Sequence, residues 1–286
     1  AGVVGAAPAG AYADLDYAEL RDVVRHLAAG FRAVGLGDGD RVAIYANTRM
    51  EWAQADFAAL AAGGVVTTVY AAASRSRVRF LLADPGATVV VVENRAHLET
   101  VLAVRDDLDA ELTAVVTMDE VETSDLTPDE TALVYTLGEV AALGADAFDA
   151  ASYASWLDTT DADDLASLVY TSGTTGSPKG VRLTHATLRA NVVQCLDRLG
   201  DRPDRDAPGL SAASTTLSFL PLAHVFERLI GHYLPFAAGG TVAYAERPAT
   251  LAGDFALVDA TTAPAAPRVY GPLFARVAGA RQVAAA

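Results

Sequence analysis

The period of the apolar positions changes several times along this chain. After Asp16, with Glu19 three residues on as in a capping box, Leu20, Val23, Val24, Leu27, Phe31 and Val34 recur at helical spacing until Gly35 and Gly37, which predicts an amphipathic helix. RVAIY at 41–45 predicts a buried strand, 51–62 a helix closed by Gly63 and Gly64, and VVTTVY the next strand. The alternation continues with a helix over 75–83, a turn at Asp84-Pro85-Gly86, the strand ATVVVVE, a helix over 95–108 and the strand LTAVVTM. Short apolar strands alternating with helices predict parallel sheets covered on both faces, an α/β fold. Over 119–164 the pattern weakens into an acidic stretch with room for a helix or two, read as the connection between a first lobe, 1–118, and a second, 165–286. The second lobe reads as the strand LASLVYT, a glycine-rich loop, a helix over 185–199, a loop with Pro203, Pro208 and Gly209, the strand TTLSFLP, a helix over 224–236 and the strand GTVAYAE.

Composition narrows the function. A chain of 286 residues that is 52% hydrophobic buries a large core. Its 36 acidic and 21 basic residues give a net charge of −15, which repels nucleic-acid phosphates and excludes a nucleic-acid role. Lys179 is the only lysine, and that scarcity, with the acidity and many alanines, predicts a protein from a high-salt or high-GC source. The single cysteine, Cys195, excludes an internal disulfide and suits a reducing cytoplasm, and the five histidines show no zinc spacing. No apolar run reaches the roughly 18–20 residues that span a bilayer, which leaves a cytoplasmic chain with room for peripheral membrane contact. The opening AGVVGAAPAGAYA lacks a basic n-region and an initiator methionine, so it reads as a chain cut at its N-terminus rather than a signal peptide.

The chemistry concentrates in LVYTSGTTGSPKGVRLTH, 168–185. Glycines at 173, 176 and 180 let backbone N–H groups approach an anion, Thr171, Ser172, Thr174, Thr175 and Ser177 add hydroxyls, and Lys179 adds a point charge. The combination suits a polyphosphate. A Walker A loop is excluded, because Pro178 precedes the lysine and Gly180 follows it. The other reading is a Ser/Thr/Gly surface loop without a ligand, against which stands the retention of the sole lysine there.

YTSGTTGSPKGV resembles the phosphate-binding signature of the adenylate-forming, or AMP-binding, superfamily of acyl-CoA synthetases, luciferases and peptide-synthetase adenylation domains. The resemblance implies that Thr171, Ser172, Gly173, Thr174, Thr175, Gly176 and Lys179 grip the β- and γ-phosphates of ATP. It also implies that Thr171 helps to place Mg²⁺ and that Lys179 acts in catalysis. The segment 217–246 resembles the next core segment of the family, and its PLAHVFER form resembles the long-chain fatty acyl-CoA synthetase branch. This implies a pocket role for His224 and Glu227 where the carboxylate meets ATP; His224 taken alone reads instead as a hydrogen-bonded histidine at a helix N-terminus, and the surrounding match brings the two readings level. PRVYGPLFARV, 267–277, resembles a further family segment, though Gly271 and Pro272 depart from it, and Arg268 and Tyr270 read as structural. Upstream, Trp52 and Tyr70 read as core or lobe-interface residues, and AAAS at 71–74 departs from the Pro-containing loop common in the family. The pairs Asp106-Asp107 and Asp163-Asp164 read as solvated charges rather than acid/base dyads.

The activity implied is that of a long-chain fatty acid–CoA ligase. A fatty carboxylate attacks the α-phosphate of Mg·ATP to give acyl-AMP and pyrophosphate, and CoA then displaces AMP. An aryl or short-chain acid ligase and a non-catalytic nucleotide-binding module are the alternatives. The family's downstream Tyr-Gly-x-Thr-Glu segment, ribose-binding aspartate and lid lysine do not occur in the 286 residues. The expectation is therefore a partial N-terminal domain without its C-terminal lid, with the CoA and adenine sites mostly elsewhere. Such a chain binds nucleotide weakly, does not turn over alone, and self-associates through exposed apolar edges.

Overall fold

The computed structural model describes residues 2–7, 11–171, 178–202, 209–245 and 250–265. Its strands are β1 (Gly2–Ala7), β2 (Ala11–Asp16), β3 (Arg41–Ala46), β4 (Val65–Tyr70), β5 (Ala87–Val92), β6 (Ala114–Thr117), β7 (Val134–Thr136), β8 (Leu165–Thr171), β9 (Lys179–Thr184), β10 (Thr215–Ser218) and β11 (Thr241–Tyr244). Its helices are α1 (Tyr17–Ala33), α2 (Met50–Ala61), α3 (Arg75–Ala83), α4 (Arg95–Leu102), α5 (Pro128–Thr131), α6 (Leu137–Ala147), α7 (Ala150–Thr159), α8 (His185–Leu199), α9 (Val225–Glu227), α10 (Leu234–Ala237) and α11 (Leu251–Leu257). They fall into two compact units, one of residues 18–47 and 51–190, the other of residues 1–17, 48–50 and 191–286.

The first unit is an α/β layer structure. Its sheet runs β7-β6-β5-β3-β4-β8-β9, parallel throughout except for the antiparallel pair β8–β9. β3 and β5 lie inside the sheet and are covered on both faces, which is why Val42, Ala43 and Ile44 and the run Val89–Val92 are buried without alternation. Val78, Leu81 and Leu82 of α3 and Leu98, Val101 and Leu102 of α4 pack with Tyr45, Val90, Val92 and Tyr170 in one core.

The acidic stretch 119–164 contributes β7 and three helices. α6 meets α1 at two glycines: a Cβ at Gly144 would lie 1.7 Å from the His26 carbonyl oxygen, and one at Gly30 would lie 2.0 Å from that of Val140. Arg25 of α1 lies over the Phe148 ring at 5.1 Å and Arg32 lies over Trp156 at 5.1 Å, so the stretch is fastened to the first helix by aromatic contacts.

The second unit carries the sheet β10-β11-β1-β2, with β10, β11 and β1 parallel and β2 antiparallel to β1. Leu217, Ala243, Ala245 and Leu251 form its core with Phe219 and Phe255.

Several expectations are corrected. The opening residues, for which the sequence pattern assigned no element, pair as β1 and β2. The helix predicted over 95–108 stops at Leu102 and continues only as a 3₁₀ turn over Arg105–Asp107. KGVRLT is strand β9, not loop, its low apolar content being tolerable because an edge strand has one neighbour and much exposure. Trp52 is fully buried, but Tyr70 is 40% exposed rather than core, because it ends β4 where the chain leaves the sheet. Asp106, Asp107 and Asp163 are exposed, as a solvated charge should be.

Candidate functional site

The phosphate-loop residues divide at the edge of the described chain. Ser172, Gly173, Thr174, Thr175, Gly176 and Ser177 lie outside the described residues, as do Arg268, Tyr270, Gly271 and Pro272. Thr171 and Lys179 are described. β8 and β9 pair in antiparallel register, so that Thr171 lies opposite Lys179 and Tyr170 opposite Gly180. Both Thr171 and Lys179 are exposed at this end of the hairpin, which places a hydroxyl and an ammonium side by side where the 172–177 segment departs. The Thr171 hydroxyl is an oxygen ligand of the type Mg²⁺ takes beside phosphate oxygens and water.

β8 is held in place by contacts that its own sequence does not advertise. Ser167 Oγ donates to the Val66 carbonyl of β4 at 2.7 Å. The Tyr170 hydroxyl donates to Asp84 Oδ2 at 2.5 Å. Burial, and then the bond to the Asp84 carboxylate, push the Tyr170 phenol above its usual range, so it remains a neutral donor.

His224 and Glu227 belong to the other unit. The chain reaches them from β10 through 219–223, and Thr48 fixes that connection: its Oγ1 donates to the Leu220 carbonyl at 2.6 Å and accepts from the Leu222 N–H at 2.9 Å. His224 caps the following helix, its Nδ1 accepting from the Phe226 N–H at 3.1 Å. An accepting Nδ1 carries no proton, so in the neutral ring the proton sits on Nε2. His224 is exposed, next to the exposed Val225 and Phe226.

Glu227 is placed differently. It is fully buried, and Ser218 Oγ of β10 donates to its Oε1 at 2.7 Å. Burial raises its pKa to about 7, against the lowering effect of Ser218 and of the Phe219 and Leu220 backbone amides. One turn on, a Cβ at Gly231 would lie 2.2 Å from Oε1, so only glycine leaves room for the carboxylate to lie along the helix.

The helix itself changes pitch behind these residues. α9 passes into a π-helical turn over Arg228–Tyr233, closed by the Leu234 N–H bonding to Leu229 five residues back, and α10 follows. Pro235, which lacks an N–H and would crowd the carbonyl four residues back, stands directly after that turn. The buried Arg228 lies over the Tyr233 ring at 5.4 Å, and His232 Nδ1 is 3.1 Å from the Tyr244 hydroxyl of β11. Among the described residues no group of three or more His, Cys, Asp or Glu side chains could hold a metal ion, and no helix is long and apolar enough to cross a membrane.

Over residues 3–285 the sequence matches the family described as AMP-binding enzyme. The chain belongs to that family. It is 30% identical over 266 residues to the long-chain-fatty-acid–CoA ligase ACSBG1 of Rattus norvegicus, covering 92% of this chain and 35% of that protein. It is 31% identical over 271 residues to the long-chain-fatty-acid–CoA ligase FadD15 of Mycobacterium bovis, covering 93% of this chain and 41% of that protein. The fold is similar to that of ATP-bound MatB from Rhodopseudomonas palustris, with a TM-score of 0.68 and 23% identity over 91% of this chain and 46% of that one. The chain thus spans 35%, 41% and 46% of the lengths of these three relatives. The bonds made by Thr48, Ser218, Asp84 and Tyr170 beside the candidate residues were missed; each reaches a partner distant in sequence or hidden in the core, and a lone Thr, Ser, Asp or Tyr carries no local signal.

Proposed function

We propose that this chain supplies the ATP-phosphate site of a long-chain fatty acid–CoA ligase and that, alone, it binds Mg·ATP weakly without turnover. The observation that carries the reading is the exposed Thr171–Lys179 pair at the hairpin end that frames GTTGSP, in a chain that keeps no other lysine. The PLAHVFER segment and the two long-chain ligases support a fatty acid as the second substrate.

In this reading the Lys179 ammonium and the backbone N–H groups and hydroxyls of 171–177 hold the β- and γ-phosphates, while Mg²⁺, placed with help from Thr171, offsets their charge. The fatty carboxylate oxygen attacks the α-phosphorus, the bond to the bridging oxygen breaks, and pyrophosphate leaves; the CoA thiol later displaces AMP. The exposed His224, whose Nδ1 is taken up by the helix cap, is the candidate donor to the fatty carboxylate, and Glu227 holds the helix that carries it.

The test is Mg·ATP binding and pyrophosphate release by the 286-residue chain in molar salt, beside Lys179→Ala. Binding that weakens at least about tenfold in the variant, without release, is the expected result, the scale of a lost charge-assisted contact; binding unchanged by the substitution would refute the role of Lys179. Thermal protection by carboxylates from acetate and benzoate to palmitate, with Mg·ATP present, decides the acid: protection by benzoate or acetate but not palmitate would overturn the long-chain assignment.

A further inference from the structure

The chain directly before and after the loop segment is locked by a contact that the phosphate-binding reading does not use. Tyr170 is the last buried residue of β8, and its hydroxyl bonds Asp84 at 2.5 Å. Asp84 is the C-cap of α3, with its own N–H bonded to the Phe80 carbonyl at 3.0 Å. The Pro85 and Gly86 that follow it are held by Arg41, whose Nε donates to Pro85 at 2.6 Å and whose Nη2 donates to Gly86 at 2.9 Å. The acceptor therefore sits on a frame of three elements. The Tyr170 ring also packs edge-on against Phe80, with centroids 5.9 Å apart.

Across the ladder, directly opposite residues share a face, so the residue opposite Tyr170 must clear the phenol. Gly180 does. A Cβ there would meet Cζ, the hydroxyl oxygen and Cε1 at 3.1, 3.2 and 3.3 Å, already tight for the smallest side chain. A slip of β9 by one residue would set Lys179 or Val181 against the ring and turn every β9 side chain to the other face. Among the described residues β9 is an edge strand that pairs with β8 alone, so this contact and the β8 ladder decide its register.

We propose that Tyr170 and Asp84 are positioning residues for the phosphate site: their bond, with Gly180 laid against the phenol, fixes the register that sets Thr171 beside Lys179. The inference rests on the reading of Thr171 and Lys179 as phosphate ligands. It makes Tyr170 and Asp84 act on ATP only through the Lys179 strand.

Equilibrium dialysis of Mg·ATP against the 286-residue chain tests it, with each variant's melting temperature measured alongside. Tyr170→Phe and Asp84→Ala are each expected to weaken binding roughly tenfold, the scale of a lost hydrogen bond to a charged acceptor. Asp84→Asn keeps an acceptor oxygen and is expected to restore most of the affinity. In a Lys179→Ala background Tyr170→Phe is expected to cost nothing further, because the group it positions is gone. An equal loss in both backgrounds would reduce the pair to a general structural support and overturn the proposal, as would unchanged affinity in Tyr170→Phe. If Tyr170→Phe does not fold, Gly180→Ala, which displaces the ring by a few tenths of an ångström, takes its place in the same cycle. Failure of the unmutated chain to bind Mg·ATP would instead strike the phosphate-site reading and take this inference with it; binding by the unmutated chain with an equal or absent effect of the variants sinks the inference alone.

Discussion

Replacing Glu227 by Gln changes one charge inside the second unit and little else in shape. In the native protein this carboxyl titrates at about 7, against 4.5 in an unstructured chain, and burial is the dominant cause. Below pH 4.5 the group is protonated whether folded or not, and it costs nothing. As the pH rises toward 7 the unfolded chain gives up the proton while the folded chain keeps it, so stability falls, and above about 7 the loss is complete. At about 1.4 kcal/mol for each tenfold difference in proton affinity between the folded and unfolded chain, the loss between pH 5 and pH 8 amounts to about 2.5 kcal/mol. The glutamine of Glu227→Gln would carry no such dependence: its carbonyl oxygen still accepts from Ser218, while its NH₂ goes unpaired at a cost of about 1–3 kcal/mol that is the same at both pH values. The quantity to follow is therefore the difference between variant and parent, which should move in favour of the variant by about 2.5 kcal/mol from pH 5 to pH 8. Trp52 and Trp156 both lie in the first unit, so their fluorescence misses an opening near Glu227. Hydrogen exchange of the peptide 225–237, corrected for intrinsic rates, and urea unfolding followed by far-ultraviolet circular dichroism read it directly. Parallel pH profiles for the two proteins would refute the claim that Glu227 is held against ionisation by burial.

Two further outcomes follow from the packing and the charge. Gly144→Ala places a methyl 1.7 Å from the His26 carbonyl, forces α6 from α1, and should destabilise the first unit by about 3 kcal/mol, measured by urea unfolding with Trp156 fluorescence; a loss under about 1 kcal/mol would show that the helices separate freely. With a net charge of −15, the chain should gain several degrees of melting temperature between about 0.1 and about 2 M NaCl through screening of carboxylate repulsion, and a flat salt profile would remove the case for high-salt adaptation.

The sequence by itself determined what depends on neighbours along the chain. The apolar runs RVAIY, VVTTVY and ATVVVV became buried parallel strands because such runs are stable only when both faces are covered, and the helices between them began within a residue or two of where their periodicity starts. The glycine-rich loop with its single lysine reads as a candidate phosphate-binding pattern from sequence because all of its candidate ligands lie within nine residues. Only the tertiary structure decided which strands are neighbours. β8, with an apolar pattern no different from the others, inserts beside β4 at the far side of the sheet from β7, and β1 joins β11 across more than 230 residues. The same holds for the polar contacts of Tyr170 with Asp84 and of Thr48 with Leu220 and Leu222, and for the two glycines that let α1 and α6 touch. Local pattern fixes what an element is and which side it must bury, but many pairings satisfy that demand equally. The choice among them rests on side-chain fit and buried hydrogen bonds between residues far apart in the chain, which no local pattern encodes.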